Sequence, residues 1–318
     1  MGIVASMTSL ATGTDHGLFE LRRGQPSAAI QLGGNTVDAL VADDSGWWAV
    51  VEGWELWRAP SHRRWWDLQA IASSPRLTCL LSTPLGLFAG TAEGHLNRLG
   101  DDGRLDIVEG FDHVEGRDEW HTPWGGPPAT RTLSWAPDGD GDGEGTLYAG
   151  IHVGGIVLST DGGRSWRPGG LDIHADVHQV LAGTAPGRVL AACARGLAVS
   201  EDGGETWRID HEGLHATYSR AVAATARSVV LCASNGPDGK QAAIYRRPVD
   251  GDAPFERCRE GLPEDLGGNV ETGCLVSDGE TLAFAAPNGQ AYTSTDDGVT
   301  WTRLVEGLSK VRCLAISG

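Results

Sequence analysis

The chain has 318 residues, 46 Gly, 15 Pro, 40% hydrophobic residues and a formal net charge of −17. That acidic balance excludes a general nucleic-acid binder and docking on an anionic membrane, since both need clustered cations, and no apolar run approaches the roughly 20 residues of a membrane span. The apolar content is enough for a core, and the Gly and Pro content favours short strands and tight turns over long helices.

The N-terminal Met1-Gly-Ile-Val-Ala-Ser6 has no basic flank and no cleavage-type segment, so it does not read as a signal peptide. Gly2 to Ser6 fits the loose myristoylation pattern, but the stretch reads better as a strand. Six cysteines (79, 193, 232, 258, 274 and 313) form no CxxC pair, which predicts buried free thiols in a cytoplasmic protein. Strands are expected at Ile3 to Gly13, Gly17 to Arg22 and Ala28 to Leu32.

Apolar runs then recur. They open at Val37, Leu77, Arg131, Val177, Arg220, Thr272 and Val311. The clearest unit has four parts: Arg131–Trp135, Thr146–Gly150, Gly155–Ser159 and a final strand expected to hold Trp166. We call these strands A, B, C and D. Between C and D lies Ser159-Thr-Asp161-Gly-Gly163-Arg-Ser165-Trp166, of pattern Ser-x-Asp-x-Gly-x-x-Trp. It returns at Ser200–Trp207 and Ser294–Trp301, and Asp101-Asp102-Gly103 looks like a decayed copy. The blade that opens at Val37 is expected to carry Trp65-Trp66 in its outer strand. Asp161 and Asp202 are 41 residues apart. A period of about 40 to 50 residues suits one four-stranded blade. The count predicts a single seven-bladed β-propeller over residues 1–318, of all-β class. The N- and C-terminal strands share one blade, which removes a free sheet edge.

With these residues the sequence resembles the Asp-box (BNR-repeat) propellers, which include sialidases, two-propeller xyloglucanases and photosystem assembly factors of the Ycf48 type. The resemblance implies that the boxes are structural turns away from the functional site. The Arg-Ile-Pro signature of sialidases is missing, so a typical sialidase is not expected.

In a four-stranded antiparallel blade the D–A and B–C connections share one face, opposite the boxes. Two rings of residues are expected there. The second position of each strand A gives Asp38, Thr78, Arg131, His178, Arg220, Gly273 and Arg312; the B–C tips give Asp15, Glu52, Ala92, His152, Cys193, Ser234 and Pro287. Arg131, Arg220 and Arg312 could clamp an anion bidentately, or could pair with Asp38, Glu52 and Asp15 as a polar channel lining. The insertion 109–130, between blades three and four, brings Trp120, His121 and Trp124 as stacking or covering residues. His178, His152, Glu52 and Tyr218 are the candidates for proton transfer or nucleophilic chemistry, with His215 at the rim as a ligand contact. His121, His152 and His178 form a candidate divalent-metal set. Asp138 to Glu144 resembles the start of a Ca²⁺ loop but lacks the last ligand, because Ala149 stands at its twelfth position. The functional expectation is a small polar, anionic ligand in a central Arg/His-rich pocket, with hydrolysis or elimination as the chemistry. The alternative is a non-catalytic scaffold that binds a protein partner on the same face.

Overall fold

The computed structural model describes residues 9–22, 31–61, 65–122, 124–138 and 145–317. The Gly2–Ser6 stretch, most of Ala28–Leu32 and residues 139–144 of the acidic loop lie outside them. Six antiparallel sheets of four strands and one of three form a seven-bladed propeller. In blade four, strand A is Thr130–Ala136, B is Thr146–Ile151, C is Gly155–Ser159 and D is Arg167–Pro168. Blade one closes the ring: Ser9–Thr14 pairs on one side with Gly17–Leu21 and on the other with the C-terminal Val311–Ser317. Among the described residues no helix is long and apolar enough to cross a membrane. All six cysteines are free thiols, and burial pushes Cys79, Cys232 and Cys313 up to about 12.

The repeated turn uses the same bonds each time. Ser159 Oγ donates to Asp161 Oδ1 at 2.8 Å and accepts from Gly163 N–H at 2.9 Å. Asp161 accepts from Ser165 N–H at 2.9 Å and from its hydroxyl at 2.6 Å. The copies at Asp202 and Asp296 repeat the scheme with Thr206 and Thr300. The tryptophans stand one residue earlier than expected. Trp166, Trp207 and Trp301 close the turn instead of lying in strand D, because each indole N–H is bonded back to a turn carbonyl, Gly163, Gly204 or Gly298. Trp166 meets Phe111 edge-on at 5.0 Å, and Trp301 meets Phe284 at 4.9 Å. Trp65-Trp66 likewise precede the outer strand of blade two, Asp67–Ile71. Trp66 is held there by its bond to Gln31 Oε1 at 2.6 Å.

Neighbouring inner strands are too close for side chains at certain B-strand positions. A Cβ on Gly13 would lie 2.6 Å from the Val37 carbonyl of blade two, and one on Gly90 2.7 Å from the Thr130 carbonyl of blade four. These contacts are with backbone, which cannot swing aside. Side chains bridge the same seam: Thr78 Oγ1 donates to Thr130 O at 2.5 Å, and Gln179 Nε2 to Val222 O at 2.8 Å.

Two outcomes follow from this packing. Gly90→Ala is expected to cost about 1–3 kcal/mol through overpacking, read from urea denaturation; a neutral result would mean that the seam has slack. The hydroxyl and N–H of Ser165 hold the Asp161 carboxyl down to about 2, below its unfolded value of about 3.9. Its contribution is therefore present above about pH 4 and lost as pH falls towards about 2. Asp161→Ala should melt lower than wild type at pH 6, with the two melting curves converging between about pH 4 and 2.

Candidate functional site

The inner strands share one irregularity. In blade two Val37 pairs with Val51 and Ala39 with Val50, so Asp38 has no cross-strand partner. The same one-residue shift skips Thr78, Arg131, His178 and Arg312. Each is a β-bulge at the second position of strand A. A bulge leaves one residue out of the ladder and re-aims its side chain. Asp38, Thr78, Arg131 and Arg312 all line one cavity of about 580 Å³ at the channel mouth, with Arg76, Glu271, Thr272 and Lys310. In blades six and seven the ladder starts only at Val222 and Leu275, later than the expected Arg220 and Thr272.

Beside this cavity, blades four to seven bring a polar cluster together. His178 is fully buried, and its Nδ1 lies 2.8 Å from the Ser219 carbonyl. A carbonyl can only accept, so Nδ1 carries a proton and Nε2 points inward. Tyr218 Oη is 3.2 Å from that Nε2. Asp176 Oδ2 lies 3.4 Å from His178 Nε2, and Asp176 Oδ1 lies 3.4 Å from His152 Nε2. Burial, and then the Arg131 guanidinium, push the His152 imidazole down to about 4. Burial opposes ionisation of Asp176, but the facing imidazoles and Arg131 hold its carboxyl below the usual range. The rings of Trp124, His152, His178 and Tyr218 run in a row, with centroid spacings of 5.5, 6.2 and 4.9 Å.

The three expected arginines have different fates. Arg312 Nε bonds Asp15 at 2.5 Å. Arg220 is bidentate to Glu271 through Nη1, at 2.6 and 2.7 Å, and also touches Tyr218 Oη. Half-buried Arg131 makes no hydrogen bond or ion pair with a described residue. Burial and the charge of Arg220 lower its pKa, while Asp176, Tyr218 and Glu271 compensate only at longer range.

Other expected residues lie elsewhere. Glu52 Oε1 accepts from Thr36 N–H at 2.6 Å on the blade-two side. Asp38 faces Arg76 at 3.8 Å, and burial raises its carboxyl. His121 is exposed with Nδ1 on its neighbour's Glu119 carbonyl, and His215 stacks on Tyr245 with Nδ1 2.7 Å from its hydroxyl. Neither reaches the cluster. Trp120 is buried against Phe111 and anchors the 109–130 insertion, whereas Trp124 stands 72% exposed above His152. Asp138, the described part of the acidic loop, accepts from Gly145 N–H at 3.2 Å.

Asp176 and Glu271 were not in the expected rings. Both sit two residues before the expected ring position, His178 and Gly273, the offset at which Tyr218 precedes Arg220. Applied to every blade, that offset would have found them.

No protein-family model and no curated protein matches this chain. Solved structures do match its fold. An ancestral GH74 enzyme is 14% identical with a TM-score of 0.60, over 93% of this chain and 39% of its own. This chain thus spans well under half of that enzyme. YCF48 bound to D1 peptide is 14% identical with a TM-score of 0.54, over 96% of this chain and 99% of its own. The WD40 repeats of RRP9 are 12% identical with a TM-score of 0.64, over 93% and 88%. At these identities the likeness is one of fold, shared by enzymes and by protein-binding propellers.

The hydroxyl of Tyr218 touches His178 and Arg220 together. Tyr218→Phe should therefore lower stability by about 1 kcal/mol in urea denaturation with an unchanged slope; an unaltered midpoint would show that the hydroxyl holds neither.

Proposed function

We propose that the channel mouth binds a small carboxylate-bearing molecule, and that Arg131 is the group that holds it. The observation that carries this reading is the contrast among the three arginines of the inner ring. Arg220 and Arg312 have carboxylate partners, whereas Arg131 has none among the described residues. A partly desolvated cation without a partner is costly, and a planar guanidinium matches a carboxylate with two parallel hydrogen bonds. The charge is fixed on a bulge at the cavity edge, so the ligand supplies what the fold leaves out. His178, His152 and Tyr218 stand beside it as the proton-handling groups, and Trp124 forms an exposed aromatic cover. Hydrolysis or elimination at a carboxylate-bearing substrate is the chemistry this set suits. Arg312 and Asp38 line the opposite wall of the cavity.

A second reading is a scaffold whose partner is a peptide or protein. Exposed Trp124 favours it, and the YCF48 neighbour, matched over nearly its whole length, was solved with a bound peptide.

The test uses metal-stripped protein kept in EDTA and a panel of mono- and dicarboxylates, hydroxy acids and uronic acids, read by thermal shift and calorimetry. At least one acid should bind saturably, with Arg131→Ala weakening it at least about tenfold, the loss of one charge-assisted bidentate contact, and Arg312→Ala changing it less than about threefold. Binding unaltered by Arg131→Ala, or no binding by any acid, would remove the small-anion reading and leave the scaffold.

A further inference from the structure

We infer that His152, Asp176 and His178 form a binding site for a divalent transition-metal ion of the Zn²⁺ class. Among the described residues they are the one trio of such side chains whose donor atoms lie within 4.8 Å of one another. The inference does not rest on the anion reading.

Three observations point to a cation. The first is the orientation of the His178 ring. Donation from Nδ1 to the Ser219 carbonyl fixes the ring and leaves its Nε2 3.4 Å from Asp176 Oδ2. An imidazole bonded through its other nitrogen to a backbone carbonyl is the usual support for a metal-bound histidine. The Asp176 carboxylate oxygen and His178 Nε2 face each other at that distance. The second observation is the carboxylate. Asp176 Oδ1 is shielded from solvent and has no hydrogen-bond partner, although His152 Nε2 lies 3.4 Å away. A buried acceptor left unsatisfied costs about 1–3 kcal/mol, and a cation between these atoms would satisfy it. The third observation is spacing. Two donors each about 2.0–2.1 Å from one ion in tetrahedral geometry stand about 3.3–3.4 Å apart. Each imidazole has that separation from one oxygen of the carboxylate, His152 from Oδ1 and His178 from Oδ2.

The backbone agrees. Asp176 has φ 55° and Val153, next to His152, also has φ 55°. Non-glycine residues are rarely held there, and least often a β-branched one. Strain of this kind persists where the surrounding fold fixes a side chain in place.

Two nitrogens and one oxygen suit Zn²⁺ and its first-row neighbours better than Ca²⁺ or Mg²⁺, which take all-oxygen shells. Three protein ligands leave a coordination position open. Tyr218 Oη lies 3.2 Å from His178 Nε2. With the histidines neutral, the ligand set carries a single negative charge from Asp176. A bound dication would therefore leave a net positive charge next to Arg131.

EDTA-stripped protein is titrated with Zn²⁺ by calorimetry and with Co²⁺ by visible absorption. One equivalent should bind with Kd below about 10 μM, and Co²⁺ should develop a d–d band. Asp176→Asn and His152→Gln should each weaken binding at least about tenfold, while Arg131→Ala keeps the full equivalent. Because the surface is rich in carboxylates, binding that survives both ligand substitutions unchanged overturns the site. So does the lack of any binding tighter than about 1 mM. X-ray absorption on Zn²⁺-loaded wild type needs no variant to fold: two nitrogens and at least one oxygen at about 2.0–2.1 Å support the site, and an all-oxygen shell overturns it.

Discussion

Seven inner strands converge on one channel, and their mutual crowding governs the rest of the molecule. A carbonyl of one blade comes so near the next that Gly13 and Gly90 admit no side chain. Residues facing this seam must be small, or must bond the neighbouring backbone as Thr78 and Gln179 do. A polar side chain can instead leave the ladder. The bulge at Asp38, Thr78, Arg131, His178 and Arg312 takes it out of the ladder and turns it towards the channel mouth. One steric rule thus keeps the blades together and places chemistry at one end of the channel.

That rule delivers side chains without deciding their partners. Three arginines arrive at equivalent positions, Arg131 and Arg312 on bulges and Arg220 ahead of its ladder. Asp15 and Glu271 neutralise two of them, and the third, Arg131, is left beside two imidazoles and a carboxylate. The asymmetry arises in the D–A and B–C loops, where each blade differs. Opposite, the Ser-x-Asp turns repeat nearly identical bonds. Regularity on one face and variation on the other is the division expected when a rigid scaffold presents loops that carry function. Distant structural neighbours that include both an enzyme and WD40 repeats fit that division, since a shared scaffold does not fix the site.

Much of this was legible in the chain. The turn motif gave the period and the strand order, because its Asp and Ser bonds are local and span only four residues. Strand C of blade four was read to the residue, and the polar positions Arg131 and His178 singled out in strand A fall at β-bulges. The tryptophans were read one position too far along, since their indole bonds to a turn carbonyl are invisible to strand periodicity. Glu52, His121 and His215 were grouped with the cluster by face alone; each is instead held by a bond near its own loop or blade.

By itself the sequence determined the repeat, the blade count, the shared terminal blade and the polar character of one position per inner strand. All of these follow from local hydrogen bonding and periodic patterning. Only the tertiary structure decided that His152, Asp176 and His178 meet, that Arg220 takes Glu271, and that Arg131 has no close partner among the described residues. Those contacts join residues from two or more blades. Their distances depend on how neighbouring sheets twist and pack, which no spacing within a single repeat records.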